Sequence, residues 1–283
     1  YSTTYYEPFH VARLFGTLDL MTGGRAAWNV VTSLNDSEAA NFGRAGHLAH
    51  AERYDRADEF LDVVTGLWNS WDDDAIVLDK EGGRFADPDK VRRLDHKGKY
   101  FSCKGPLPVP RSPQGQPVLI QAGQSGRGRE FAGKWGNLIF VVYPNKDLGQ
   151  KQYAAVKEEV AKAGRNPDEV AICPACYVCV GETREIAEQK RDFILNLAKP
   201  IDALCLLSEA LNFDFGCKSL EEEFTEEELA KISWTGFRER VVALSGKENP
   251  TVGDFVEFSK RGTIAEFPIF CGTPTEVADQ MQD

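Results

Sequence analysis

The chain has 283 residues, 42% of them hydrophobic and 27% charged, the composition of an ordinary globular protein with one large domain or two small ones. Its 33 basic and 44 acidic residues leave a formal charge of −11, so a phosphate backbone is repelled overall and nucleic-acid binding is disfavoured. There is no run of about 18 apolar residues, so neither a membrane span nor a membrane partner is expected.

Seven cysteines, an odd number scattered through apolar segments, predict reduced thiols in a cytoplasmic protein rather than a disulfide framework. The chain opens on Tyr1 and closes at Asp283 within what starts as a helix, and the expectation is that a longer protein continues on both sides.

In chain order, residues 1–6 (YSTTYY) alternate hydroxyls and aromatics and read as a strand. Glu7-Pro8 opens a helix over 9–20 with apolar positions at Val11, Leu14, Phe15 and Leu18, and Gly23-Gly24 ends it. Residues 25–33 (RAAWNVVTS) read as a second strand, with Asn29 in its polar C-terminal part. The strongest helix signal covers 50–71, where Phe60, Val63, Val64 and Leu67 recur at helical spacing. His50 and Tyr54, four apart, share a face one turn from each other; the residues alone favour a packing or surface contact.

Residues 72–117 are rich in Pro, Gly and charge and read as an excursion from the core. Asp95-His96 within it has no second His or Cys at ligand spacing, so a solvated loop is expected. Residues 117–135 (PVLIQAGQSGRGREFAGKW) then combine a buried strand, a turn of small residues with Ser125 as its hydroxyl, and the opening of a helix. That order can aim backbone N–H groups and a positive helix end at an anion. It is equally the form of an ordinary βα turn whose glycines only solve a backbone problem. No Lys-Ser/Thr pair follows, so it is not a Walker loop.

Strand 138–143, helix 148–163, strand 170–180 and helix 183–198 continue the alternation, which predicts a parallel α/β fold. Cys173, Cys176 and Cys179 form C-x2-C-x2-C, but no fourth ligand is evident. Residues three apart on a strand face opposite ways, so small core residues are expected there and no metal site. Residues 204–262 read as mostly helical and irregular. Thr273-Pro274 with Glu276 predicts an N-capped helix.

The segments WNVVTSLNDSEAANFG, HAERYDRADEFLDVVTGLWNSW, GRFADPDKV, LDHKGKYF, GPLPVPRSPQGQPVLIQAGQSGRGREFAG and NFDF together resemble the bacterial-luciferase-like, FMN-dependent monooxygenases. Within these the similarity is to the nitrilotriacetate and dibenzothiophene-sulfone monooxygenase group. The resemblance implies a (βα)8 TIM barrel with residues 1–6, 25–33, 117–122, 138–143 and 170–180 as strands three to seven, incomplete here at both ends. It implies one domain, 1–283, with insertions at about 72–116 and 200–262. FMN would lie at the C-terminal strand ends. Carried over by matching positions, His50 and Tyr54 of H-x-x-R-Y and Ser125 of A-G-x-S would contact it, Ser125 at its phosphate, and Asn29 would face the same pocket.

The activity implied uses reduced FMN from a separate flavin reductase and O2 to oxygenate a small substrate, an aminopolycarboxylate or an organosulfur compound. The resemblance names no catalytic base in these residues, and a homo-oligomer is compatible with it. Two other readings stand beside it: a deazaflavin-dependent oxidoreductase, and a truncated relative without a complete flavin site.

Overall fold

The computed structural model describes residues 1–123, 126–143, 145–232 and 235–282, the side chains of 235 and 236 excepted. The elements are α1 (Pro8–Met21), β1 (Ala27–Asn29), α2 (Asp36–Asn41), α3 (His50–Trp68), β2 (Ile76–Asp79), β3 (Arg84–Ala86), β4 (His96–Lys97), β5 (Ser102–Cys103), β6 (Val118–Gln121), α4 (Gly126–Trp135), β7 (Leu138–Val141), α5 (Lys146–Lys162) and β8 (Ala171–Pro174). After these come β9 (Tyr177–Val180), α6 (Arg184–Leu195), α7 (Pro200–Leu211), α8 (Glu226–Lys231), α9 (Thr235–Ser245), α10 (Val252–Ser259), β10 (Ile269–Gly272) and α11 (Pro274–Gln282). The chain forms two units, the first from Tyr1–Ser33, Asn41–Val141 and Gly149–Pro174, the second from Leu34–Ala40, Val142–Leu148 and the residues from Ala175 onward. Among the described residues, no helix is long and apolar enough to cross a membrane.

In the first unit β1, β6, β7 and β8 lie side by side in that order, all parallel, with Trp28 opposite Leu119, Ile120 opposite Leu138 and Ile139 opposite Ile172. This is the parallel α/β class expected from the alternation of strand and helix. The core is built around Trp28, which is 1% exposed. It stacks on Phe15 of α1 at 5.4 Å and meets Trp68 of α3 edge-on at 6.5 Å. Both indole nitrogens are satisfied, Trp28 Nε1 donating to the Tyr1 carbonyl at 3.1 Å and Trp68 Nε1 to the Ala12 carbonyl at 2.9 Å. Burying aromatics this large while satisfying their polar atoms is what makes them anchors.

Four segments depart from the sequence reading. Residues 1–6 contribute one parallel bridge, Ser2 to Val31, before turning. The Ser2 hydroxyl accepts from the Thr4 N–H at 3.1 Å and Thr4 Oγ1 donates to the Thr32 carbonyl at 2.8 Å, so side chains take the place of a continued ladder. In residues 25–33 only Ala27–Asn29 are strand. Residues 170–180 form two strands, not one: β8 ends at Pro174, which has no N–H to extend a ladder, and β9 starts at Tyr177. The excursion 72–116 holds two antiparallel pairs, β2–β3 and β4–β5, and His96 is not solvated. Its side chain is 21% exposed and its Nε2 lies 3.1 Å from Glu59 Oε1. The same carboxylate accepts the N–H groups of Tyr100 at 2.9 Å and Phe101 at 2.8 Å, which anchors the excursion to α3.

The second unit pairs β9 and β10 in parallel and packs its helices round an aromatic cluster, Phe215, Phe224 and Phe255, with ring centroids 5.1–5.6 Å apart. Two of its helix starts are closed by their own side chains: Thr225 with Glu228 on α8 and Thr251 with Asp254 on α10. The cap expected at Thr273 is present. The Thr273 N–H donates to Glu276 Oε2 at 2.8 Å, and the Glu276 N–H returns a bond to Thr273 Oγ1 at 3.4 Å.

Candidate functional site

Because β1 and β6 are parallel neighbours, their C-terminal ends coincide, and the connections that lead into α3 and α4 leave from that end. Asn29 closes β1 there and is exposed. The turn after β6 is tight. A Cβ on Gly123 would stand 2.8 Å from Gln121 Oε1 and 2.9 Å from both the Cα and the carbonyl oxygen of Gly128, so only glycine lets the backbone fold back on the first turn of α4. Gln121, itself buried, accepts the Gly123 N–H. Ser125 lies outside the described residues, and the structure neither places it nor removes it from this turn.

The structure does bring His50 and Tyr54 together. His50 is the first residue of α3, and its ring centroid is 5.0 Å from that of Tyr54. Tyr54 is buried and meets Phe131 of α4 edge-on at 5.4 Å, while the Arg127 guanidinium stands 5.7 Å from the Tyr54 ring centroid. The starts of α3 and α4 are therefore neighbours. Asn29 shares their end of the sheet but bonds neither aromatic.

Two cations at this place were not picked out by sequence reasoning. Arg127 is neutralised: its Nη2 is 3.2 Å from Asp55 Oδ1 and also bonds Asp58 Oδ2. Burial pushes the Asp58 carboxyl up, but the bonds from Arg127 and from Trp135 Nε1 at 2.7 Å, with the charge of Lys134, hold it below the ordinary carboxylate range. Arg53 is different. It is 7% exposed, and its Nε is buried with no hydrogen-bond partner among the described residues. It also sits in the first turn of α3, whose N-cap Ala49 supplies no side-chain cap. A cation there opposes the positive end of the helix dipole, and a buried donor left unsatisfied costs about 1–3 kcal/mol.

Burial first, and then the charges of Arg53 and Arg127, hold the His50 imidazole below the ordinary histidine value. The uncapped start of α3 and the orphaned Arg53 nitrogen both ask for one thing, an anion. The signal for Arg53 was in the sequence, as the R of the H-x-x-R-Y segment. Its burial could come only from the packing of α3.

Comparison with known proteins gives the family of the chain. The family model for luciferase-like monooxygenases matches residues 1–283. The dibenzothiophene-sulfone monooxygenase of Rhodococcus erythropolis is 45% identical over 284 residues, 99% of this chain and 62% of that protein. Component A of nitrilotriacetate monooxygenase from Aminobacter aminovorans is 40% identical over 287 residues, again 99% of this chain and 62% of that protein. Among solved structures, a riboflavin lyase crystallised with modified FMN and its substrate riboflavin superposes with a TM-score of 0.84 at 33% identity, covering 100% of this chain and 61% of that one. The chain thus spans less than two thirds of the length of these relatives.

Proposed function

The chain belongs to the luciferase-like monooxygenase family, and on that basis we propose that its protein is an FMN-dependent monooxygenase whose flavin phosphate binds between the starts of α3 and α4. The observation that carries the reading is the buried Nε of Arg53, without a partner among the described residues, beside His50, Tyr54 and Arg127. A phosphate suits this end because it supplies acceptor oxygens to Arg53 and to the first N–H groups of α3, whose N-cap Ala49 offers no side-chain cap. Ser125, in the Gly-flanked turn that leads into α4, adds a hydroxyl donor to the same phosphate. Tyr54 and His50 border the flavin on the α3 side, and Asn29 faces it from the end of β1.

When bound in reduced form, FMN supplies the electrons that activate O2. The chain's own residues bind the phosphate, fix the orientation of the cofactor and keep water from the reacting end. A separate flavin reductase is the proposed source of reduced FMN. The proposed substrate is a small organosulfur compound or aminopolycarboxylate, the chemistry of the two named relatives, and the proposed location is the cytoplasm. Residues 1–283 are read as one luciferase-like domain with insertions at about 72–116 and 200–262.

A titration of the protein with FMN, followed by flavin fluorescence, tests the reading. Saturable binding that weakens in Ser125→Ala by about 1.5–3 kcal/mol, the worth of a hydrogen bond to a charged group, supports it. Unchanged affinity in that variant removes Ser125 from the phosphate. Absence of any FMN binding, with binding of a deazaflavin, replaces the cofactor assignment.

A further inference from the structure

The fold breaks up the C-x2-C-x2-C spacing. Cys173 is on β8, Cys176 is exposed in the connection, and Cys179 is buried on β9. Cys179 has instead a partner far along the chain: in the parallel register of β9 with β10 it stands directly opposite Cys271. Residues opposite one another on neighbouring strands share a face. Such strands lie about 4.7–4.9 Å apart, inside the Cα separation of about 4.4–6.8 Å that a disulfide spans. Both thiols are free.

Their surroundings differ in a useful way. Cys271 is half-buried, and Arg184 and Arg191 of α6 lie within electrostatic reach of it, although each also pairs with a carboxylate, Glu276 at 2.8 Å and Asp192 at 2.9 Å. Cys271 is the more exposed of the two, and reactive cysteines are partly exposed. Burial, and after it the charge of Cys271, push the Cys179 thiol up. The β10 backbone is held in register by Gln280 of α11: the Cys271 N–H donates to Gln280 Oε1 at 3.1 Å, and Gln280 Nε2 donates to the Cys271 carbonyl at 3.0 Å. The pair is presented by two fixed strands rather than by loops.

We propose that Cys179 and Cys271 are a peroxide-oxidisable dithiol that closes into a disulfide between β9 and β10. The Cys271 thiolate attacks hydrogen peroxide, forming an S–O bond as the O–O bond breaks, and the departing hydroxide takes a proton and leaves as water. The Cys179 sulfur then attacks the resulting sulfenic acid. An S–S bond forms, the S–O bond breaks, and the hydroxide leaves with the Cys179 proton as a second water. Two thiols lose two electrons, and one peroxide becomes two waters.

The test needs no flavin, so it stands or falls apart from the proposed function. The reduced protein is treated with hydrogen peroxide, quenched, alkylated under denaturing conditions and digested with trypsin and chymotrypsin without reductant. Cleavage after Tyr177 separates Cys179 from Cys173 and Cys176, and cleavage after Arg261 releases the segment with Cys271. The expected result is a fall from seven free thiols to five, a linked peptide joining Cys179 to Cys271, and recovery of seven with dithiothreitol. Cys179→Ser should leave Cys271 as a sulfenic acid that dimedone traps. Cys271→Ser, at the half-buried position, should keep all its remaining thiols and serves if the other variant does not fold. Seven thiols retained, a link between other cysteines, or Cys271 oxidised further while Cys179 stays free would each overturn the proposal.

Discussion

Two buried charges in the first turns of two helices are treated in opposite ways. Asp254 on α10, 9% exposed, is fully matched. Its carboxylate accepts Lys247 Nζ at 3.0 and 2.8 Å, the Thr251 N–H at 2.7 Å and the Thr251 hydroxyl at 2.9 Å. The sign of its charge also suits the helix end it occupies. Arg53 on α3 is equally buried, has the wrong sign for its helix end and leaves Nε without a partner among the described residues. A helix start that closes on itself is finished architecture. One that buries a mismatched cation has spent stability on something outside the chain, which is the pattern of functional sites.

The comparison can be broken by exchanging which property each residue controls. Arg53→Gln should lower FMN affinity by about ten- to hundredfold, the loss of hydrogen bonding to a charged phosphate, while stability in a urea melt stays within about 1 kcal/mol, because the native protein gains little from an unsatisfied donor. Asp254→Ala should do the reverse. It removes a cap and a pair partner, costs about 1–2 kcal/mol of stability, and leaves FMN affinity unchanged. If Arg53→Gln unfolds the protein with FMN affinity intact in the folded fraction, the distinction between the two helix starts fails.

A smaller effect sharpens the same contrast. Burial pushes the Asp254 carboxyl up, but the bonds from Lys247 and Thr251 carry it below the ordinary carboxylate range. A depressed carboxylate stabilises the fold above its unfolded value of about 3.9, and that contribution is lost as pH falls through the lower, folded value. The stability difference between the natural protein and Asp254→Asn should therefore be constant from about pH 7 to pH 5 and shrink below about pH 4. A difference that instead grows in acid would mean that Asp254 is not the group being titrated.

What the sequence made legible follows the range of the interactions involved. The alternation of strand and helix and the Thr273–Glu276 cap depend on residues close in the chain, and both are present as expected. His50 and Tyr54 were placed on one helix face by spacing alone, and they touch. What sequence could not show is decided by distant partners. His96 is withdrawn from water by Glu59, and the end of β8 is set at Pro174 against β7. Cys179 meets Cys271 only because β10 returns beside β9. Arg53 was visible as a motif letter, yet its isolation depends on α3 packing beside α4. Family resemblance pointed to the C-terminal end of the sheet. It could not say which of its cations was left uncompensated.

His50 gives the most direct local reading of that uncompensated charge. In the free protein its imidazole is held below the ordinary histidine value by burial and by Arg53 and Arg127, so the ring is neutral at pH 7. A phosphate seated against Arg53 would reverse the sign of the field at the ring and raise its affinity for a proton. By linkage, FMN should then bind more tightly as pH falls below about 6.5, and that slope should flatten in His50→Gln. The second ionisation of the FMN phosphate, near 6, is common to both proteins and cancels in the comparison. The ring-proton resonance of His50 should titrate with a midpoint below 6.5 without flavin and at a higher pH with FMN bound. A midpoint that does not move on saturation would put the phosphate away from α3, and Arg53 would need a different anion.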